Sequence, residues 1–175
     1  MKRVILLAIA LLLTVGCYAK KTFTLWQLES RVNSPINSYV IRTHSGKVII
    51  MDGGDEVDKD YLRGFIDALG GKVDAWFVSH PHNDHMGALK VILENPQGLQ
   101  IDKIYHSRFT ETLIDTEEKK WADYTRAFYA LLDNAKDTEV IDCHCGDEFE
   151  IEGINFKILT EKNPEILGNG YNNSS

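Results

Sequence analysis

Short apolar runs and alternating apolar and polar positions predict several short strands along this chain. The predicted strands are Phe23–Leu28, Ser38–Arg42, Lys47–Met51, Ala75–Val78, Ile101–Tyr105 and a closing hairpin over Glu148–Leu159. The closing hairpin turns at Glu152-Gly153, since apolar residues alternate on both sides of that pair. Another turn, at His44-Ser45-Gly46, joins the second and third strands.

Apolar residues at helical spacing separate these strands. One predicted helix carries Tyr61 to Leu69 and stops at Gly70-Gly71, and a second covers Met86 to Glu94 and ends before Pro96. A longer amphipathic helix contains Trp121 to Leu132. Strands interleaved with helices predict a mixed α/β fold, or a layered α+β fold, in which helices cover a sheet.

The composition is that of one globular domain. The chain has 175 residues, of which 43% are hydrophobic and 26% charged, so a disordered chain is excluded. A net charge of −7 does not attract the nucleic-acid backbone, and no stable nucleic-acid complex is expected. Three cysteines are too few for a disulfide scaffold.

The N-terminus is typical of an export signal. A basic start precedes a ten-residue apolar run, Val4–Leu13, which is short for a membrane span. We expect a signal peptide over residues 1–19 and a domain over residues 20–175, in the periplasm or outside the cell. Alternatively, the segment before Cys17 is a lipoprotein signal, and a lipid anchor at Cys17 is the only membrane contact. A buried N-terminal helix is the third interpretation.

One segment concentrates the candidate chemistry. His80 and His82 would point the same way from an extended loop, and Asp84 and His85 follow where a helix begins. Imidazole and carboxylate groups together suit zinc, iron or manganese, and Pro81 stiffens the loop between two candidate ligands. The alternative is a polar loop with solvated histidines.

This motif resembles the signature of the metallo-β-lactamase-fold hydrolases. The likeness lies in His80-x-His82-x-Asp84-His85 with Met86-Gly87-Ala88 after it, and in Asp52-Gly53-Gly54 about thirty residues upstream. It extends from about Thr22 to the chain end, and is closest to the branch that includes the C-terminal domain of the DNA-uptake competence protein. The resemblance implies an αββα sandwich.

The resemblance also implies roles for these residues. His80 and His82 would bind a first Zn2+, and Asp84 and His85 a second, with Asp84 as the catalytic carboxylate. A bridging hydroxide would attack an ester, amide or phosphodiester bond. Asp52 would accept a hydrogen bond from a ligand histidine and fix its tautomer. Alternatively, the Asp52 carboxylate only satisfies backbone groups in its turn.

The later ligands of the family are not visible in this sequence. We therefore expect only the first half of the sandwich, an incomplete fold from a truncated product that is poorly active. Asn172 to Ser175 would begin the Asn-x-Ser segment that replaces a later histidine in the competence-related branch. An uncovered sheet face would make such a chain aggregate or exchange segments.

Two further signals are weaker. Cys143-His144-Cys145 is expected to be a surface strand segment with both thiols on one side, with a strained disulfide or a metal site as alternatives. His106 is expected in a loop after a strand, where a substrate contact is the alternative.

The function hypothesis is an exported metal-dependent hydrolase with one or two Zn2+ ions, or Fe or Mn in their place. Its substrate would be a small molecule or a phosphodiester. The alternatives are a non-catalytic envelope module that binds a metal or a partner, and a redox enzyme with one iron in the same fold.

Overall fold

A computed structural model describes residues 23–33, 35–163, 165–166 and 170–173. Its strands are β1 (Phe23–Gln27), β2 (Ser38–Thr43), β3 (Val48–Asp52), β4 (Lys72–Val73), β5 (Ala75–Val78), β6 (Gln100–Ile101), β7 (Lys103–His106), β8 (Glu139–Asp142), β9 (Glu148–Ile151) and β10 (Ile154–Lys157). Its helices are a 3₁₀ turn (Glu56–Asp58), α1 (Lys59–Ala68), α2 (Asn83–Glu94), α3 (Glu111–Ile114), α4 (Lys119–Asp133) and α5 (Gly170–Asn173).

Six strands form one mixed sheet in the order β1-β2-β3-β5-β7-β8. The pairs β1–β2 and β2–β3 are antiparallel, and β3–β5, β5–β7 and β7–β8 are parallel. The described residues also contain two small ladders, in which β4 pairs parallel to β6 and β9 pairs antiparallel to β10. The mixed α/β prediction is confirmed.

Alternate residues of the central strands fill two separate apolar layers. One face carries the side chains that pack against the helices, namely Val40, Ile50, Trp76 and Ile104. The opposite face carries Ile41, Ile49, Ala75 and Tyr105, which pack with side chains of the β9–β10 hairpin. Both faces of the central strands are therefore buried, as is usual for parallel strands.

The topology brings polar residues together at one edge of the sheet. Strands β3, β5 and β7 run parallel, so their carboxyl ends meet at the same edge. Asp52 ends β3, Ser79 follows β5, and His106 ends β7.

The structure corrects three predicted elements. The strand expected at Ile101–Tyr105 is divided, because the backbone N–H of Asp102 donates to the Val73 carbonyl and the two parts belong to different ladders. Helix α2 begins at Asn83 rather than Met86, since the N–H groups of His85 and Met86 already donate to the His82 carbonyl.

The third correction concerns the cysteine segment, which lies beyond the end of β8 and is not a strand. Cys143 is buried, Cys145 is exposed, and both are free. The two thiols therefore do not share a strand face.

The predicted signal peptide over residues 1–19, with its alternative at Cys17, lies outside the described residues. Among the residues that the structure describes, no helix is both long and apolar enough to cross a membrane.

Candidate metal centre

Asp52 occupies an unusual backbone position at the end of β3. Its φ of +58° is in the left-handed region, and the residue is only 3% exposed. The backbone carbonyl of Asp52 accepts a hydrogen bond from the buried indole N–H of Trp76. A Cβ on the following residue, Gly53, would lie 3.0 Å from the Trp76 ring, which is tighter than an ordinary van der Waals contact.

The buried Asp52 carboxylate accepts hydrogen bonds from three residues. Ser79 donates its backbone N–H to Oδ1 at 2.8 Å and its hydroxyl to Oδ2 at 3.0 Å. The Asn37 amide donates to Oδ2 at 3.0 Å, and His85 Nδ1 lies 2.9 Å from the same oxygen. These bonds tie the end of β3 to the end of β5 and to the start of α2.

The start of α2 places the second half of the motif. His82 has extended backbone angles at the N-cap position, so the chain changes from extended to helical between His82 and Asn83. Gly87 lets this helix approach the 3₁₀ turn, because a Cβ there would lie 2.8 Å from the backbone nitrogen of Glu56.

Three imidazole rings meet above Asp52. The His80 ring centroid lies 4.8 Å from that of His82 and 3.9 Å from that of His85. His80 Nε2 and His82 Nδ1 are 3.1 Å apart. Asp84 lies at the rim, with its Oδ2 3.7 Å from His85 Nε2.

The hydrogen bonds assign a tautomer to two of these rings. The single proton of the Ser79 hydroxyl is donated to Asp52, so this hydroxyl accepts a hydrogen bond from His80 Nδ1, 3.1 Å away. His80 is therefore protonated on Nδ1, and its Nε2 carries the lone pair. His85 donates from Nδ1 to Asp52, which leaves its Nε2 lone pair available in the same way. Ser79 and Asp52 therefore fix the tautomers of His80 and His85, in which the Nε2 lone pairs are available to the site.

The electrostatic environment differs among the three histidines. Burial lowers the pKa of His80 to about 4, with the neighbouring rings of His85 and His82 adding to the effect. Burial also lowers the pKa of His82. Burial opposes ionisation of His85 as well, but the hydrogen bond and charge of Asp52 outweigh it and raise its pKa. His80 and His82 are thus neutral at pH 7, the form in which imidazole binds metals.

The donor set fits a divalent metal in its chemistry. His80 Nε2 and His82 Nδ1 face each other across 3.1 Å, and a metal would replace the proton that lies between them. Within the described ranges, no group of three or more His, Cys, Asp or Glu side chains is arranged to hold a metal ion.

Four residues of this site were given no role from the sequence. Ser79 and Asn37 hold Asp52. Glu117 Oε1 lies 3.8 Å from His82 Nε2, and the Tyr171 ring packs on His82. The position of Ser79 directly before His80 was a usable signal, whereas the others are distant in the sequence.

A cavity of about 500 Å³ adjoins His80 on the β9–β10 side of the sheet. Its walls include His80, Phe77, Tyr105 and Phe156. His106 also lines it, but as the buried last residue of β7, so the expectation of a loop histidine is wrong. Among the described residues, His106 Nδ1 is one of the few buried side-chain atoms without a hydrogen-bond partner.

Comparison with known proteins identifies the family of this arrangement. A family model described as the metallo-beta-lactamase superfamily matches residues 31–157, which is most of the chain and contains Asp52 and the histidine motif. The search of the curated proteins gives no match.

Solved structures with some similarity are metallo-β-lactamases. A Cronobacter sakazakii protein with an HARLDQ motif is 18% identical, with a TM-score of 0.44, over 69% of this chain and 44% of that one. BJP-1, a subclass B3 metallo-β-lactamase of Bradyrhizobium japonicum, is 18% identical, with a TM-score of 0.45, over 79% of this chain and 53% of that one. The chain thus spans about half the length of these two structures.

Proposed function

We propose that this chain, which belongs to the metallo-β-lactamase superfamily, carries the metal-binding half of a metal-dependent hydrolase site. Superfamily membership supports a hydrolase-like fold that binds divalent metals such as zinc. The observation that carries the proposal is the meeting of three imidazole rings above one buried carboxylate, with Ser79 and Asp52 fixing two of their tautomers.

The proposed ligands form two adjacent pairs. His80 and His82 would hold a first metal, and Asp84 with His85 a second, with zinc preferred and iron or manganese as alternatives. When bound, such a metal would supply polarisation of the scissile bond and a lower pKa for a water nucleophile, the chemistry that hydrolysis near pH 7 requires. Asp52 supports the pairs by orienting His85 and, through Ser79, His80.

For the substrate, we propose a small molecule with an ester or phosphodiester bond. The cavity beside His80 has room for a ligand of metabolite size, and its walls are mainly apolar. The net charge of −7 opposes a long polyanion, so a short phosphodiester suits this surface better than nucleic acid. The likeness to the competence-related branch favours phosphodiesters over β-lactams.

For localisation, we propose export directed by residues 1–19. The basic start and short apolar run support a cleaved signal, and Cys17 remains the alternative attachment point.

A second candidate function is a metal-binding module without catalysis. The observation that favours it is the donor count, because each proposed metal receives two side chains from the described residues, while catalytic zinc usually takes three. Zinc binding without turnover of any ester or phosphodiester would favour this module.

The test compares zinc binding and hydrolysis in matched histidine variants. We expect the wild-type chain to bind Zn2+ in calorimetric titration, and His80→Ala and His82→Ala to lose most of this affinity. His44→Ala is the control, since His44 is exposed in the β2–β3 turn. Hydrolysis of a chromogenic phosphodiester is measured in parallel.

Equal zinc affinities in His80→Ala and His44→Ala would overturn the proposed metal site. Zinc-dependent hydrolysis that disappears only in His80→Ala and His82→Ala would establish the enzyme rather than the module.

A further inference from the structure

The helical turn α5 packs directly on the metal motif, although it lies almost ninety residues further along the chain. Tyr171 is fully buried, and its ring centroid is 5.0 Å from that of His82 with an interplanar angle of 32°. The edge of Phe109 packs against Tyr171 at the same distance. His82 therefore lies against an aromatic ring that is itself held in place.

Polar contacts link the same turn to the loop that carries the motif. The Tyr171 hydroxyl donates to Thr125 Oγ1 at 2.9 Å, and Thr125 Oγ1 donates to the Pro81 carbonyl at 3.5 Å. Thr125 is also fully buried, so this chain of hydrogen bonds lies away from water. The neighbouring Asn172 side chain hydrogen-bonds His82 itself. Ring packing and hydrogen bonding thus act on adjacent residues of one loop.

We propose that Tyr171 and Asn172 are positioning residues that hold the His82 ring with Nδ1 facing His80. The two ring nitrogens of His82 face different groups. Nδ1 faces His80 Nε2, while Nε2 lies on the other side, 3.8 Å from Glu117 Oε1. An imidazole ring turns about χ2 at little cost unless both its face and its edge are fixed. Tyr171 contacts the face, and Asn172 bonds the ring.

The consequence for metal binding rests on the proposed function. A site in which His82 is already oriented does not lose that rotational freedom when the metal binds, so its affinity is higher. Groups that orient a ligand histidine typically change metal affinity by about 10–100-fold. We therefore expect Tyr171→Ala to weaken Zn2+ binding by roughly tenfold or more, and Asn172→Ala to weaken it by a smaller factor.

A conservative variant separates positioning from plain destabilisation. Tyr171→Phe keeps the ring against His82 and removes only the bond to Thr125, so it should restore most of the affinity lost in Tyr171→Ala. Ile66→Ala is the control, because Ile66 is a fully buried residue of α1, outside the metal motif. Ile66→Ala should lower thermal stability and leave zinc affinity in the folded protein unchanged.

A measurement on metal-free protein tests the same idea without zinc. Two-bond 1H–15N spectra of the imidazole rings report the tautomer of each histidine. In the wild type, His82 should show one dominant tautomer, and Tyr171→Ala should move its nitrogen shifts toward averaged values while those of His44 stay in place.

Unchanged His82 shifts in Tyr171→Ala would overturn the proposal, as would a zinc affinity equal to that of the wild type. If the wild type binds no zinc but its His82 shifts move in Tyr171→Ala, the proposed function fails and the positioning role stands.

Discussion

Asp52 connects the sheet to the histidine motif through a single buried side chain. Its carboxylate receives bonds from the ends of two elements, and its positive φ directs it toward them. The Asp-Gly-Gly pattern indicated a turn, and the family likeness suggested a histidine partner. The identity of this partner, His85, and the connection through Ser79 are visible only in the structure. Contacts between residues 27 and 33 positions apart leave no periodic signal in the sequence.

Removing the negative charge of Asp52 should weaken metal binding. In Asp52→Asn, an amide takes the place of an oxygen that His85 and Ser79 share, so His85 loses the acceptor that fixes its tautomer. We expect Zn2+ affinity to fall by about 10–100-fold in calorimetric titration.

Asp74→Asn is the matched control for this variant. Asp74 also accepts from a backbone N–H, that of Val48, and pairs with Lys47, but it lies near the opposite end of β3. An equal loss of affinity in the two variants would show that Asp52 acts only through stability.

The buried histidines predict a pH dependence of folding stability. Burial lowers the pKa of His80 and of His106 to about 4, from an ordinary value of 6.5. At a pH between these two pKa values, the unfolded chain binds protons at these histidines that the folded chain does not. The free energy of unfolding therefore falls as the pH falls. From pH 7 to pH 5, each histidine should contribute a loss of about 2 kcal/mol in metal-free protein.

Urea unfolding at both pH values measures this loss, and His106→Asn isolates one part of it. The variant should show a pH dependence smaller by about 2 kcal/mol than that of the wild type. An identical pH dependence in the two proteins would contradict a neutral buried His106.

At the scale of elements, the hydrophobic pattern located the long segments and missed short ones. Strand β5 was predicted with its exact ends, and the Glu152-Gly153 turn has the positive φ values, 54° and 78°, that such a hairpin needs. Strand β8 was not predicted because its four residues, Glu-Val-Ile-Asp, give only two apolar positions. Its place in the sheet comes from parallel pairing with β7.

The start of α2 shows where local pattern fails. Asn83, Asp84 and His85 carry no apolar periodicity, so the pattern begins only at Met86. The helix starts earlier because backbone bonds to the His82 carbonyl form its first turn. This difference affects the site, since Asp84 and His85 lie inside the first turn of the helix rather than just before it.

Packing between α2 and the 3₁₀ turn predicts an intolerant glycine. In Gly87→Ala, the added Cβ would lie 2.8 Å from the Glu56 backbone nitrogen, so the backbone must shift. We expect a loss of about 1–3 kcal/mol in the free energy of unfolding, measured by urea titration.

Gly64→Ala is the comparison, because Gly64 lies in α1 with nothing within 4 Å of an added Cβ. That variant should gain about 0.5–1 kcal/mol through helix propensity. Equal destabilisation by both substitutions would contradict the close approach at Gly87.

At the scale of the whole molecule, the two faces of the sheet are covered unequally. Helices cover one face, whereas the β9–β10 hairpin packs on the other. Phe77 stacks on Tyr105 at 4.4 Å and on Phe156 at 4.9 Å. Near this cluster, Leu159 is 73% exposed and Met51 is 38% exposed. Exposed apolar groups beside an open cavity favour association between chains.

This arrangement predicts concentration-dependent self-association through the hairpin face. Sedimentation velocity over a range of concentrations should detect it, and Leu159→Lys should reduce it. Val57→Lys is the control, since Val57 is also highly exposed but lies in the 3₁₀ turn. Association reduced equally by both variants would indicate a general charge effect instead of a specific face.

The position of bound zinc in a crystal would show whether His80 and His82 hold a metal. Anomalous scattering at the zinc edge locates the ion without prior assumptions about its ligands. We predict a peak about 2.0–2.1 Å from His80 Nε2 and His82 Nδ1, the pair that faces each other in this structure. A zinc peak at His144 and Cys145 with none at His80 would contradict the assignment of the metal centre.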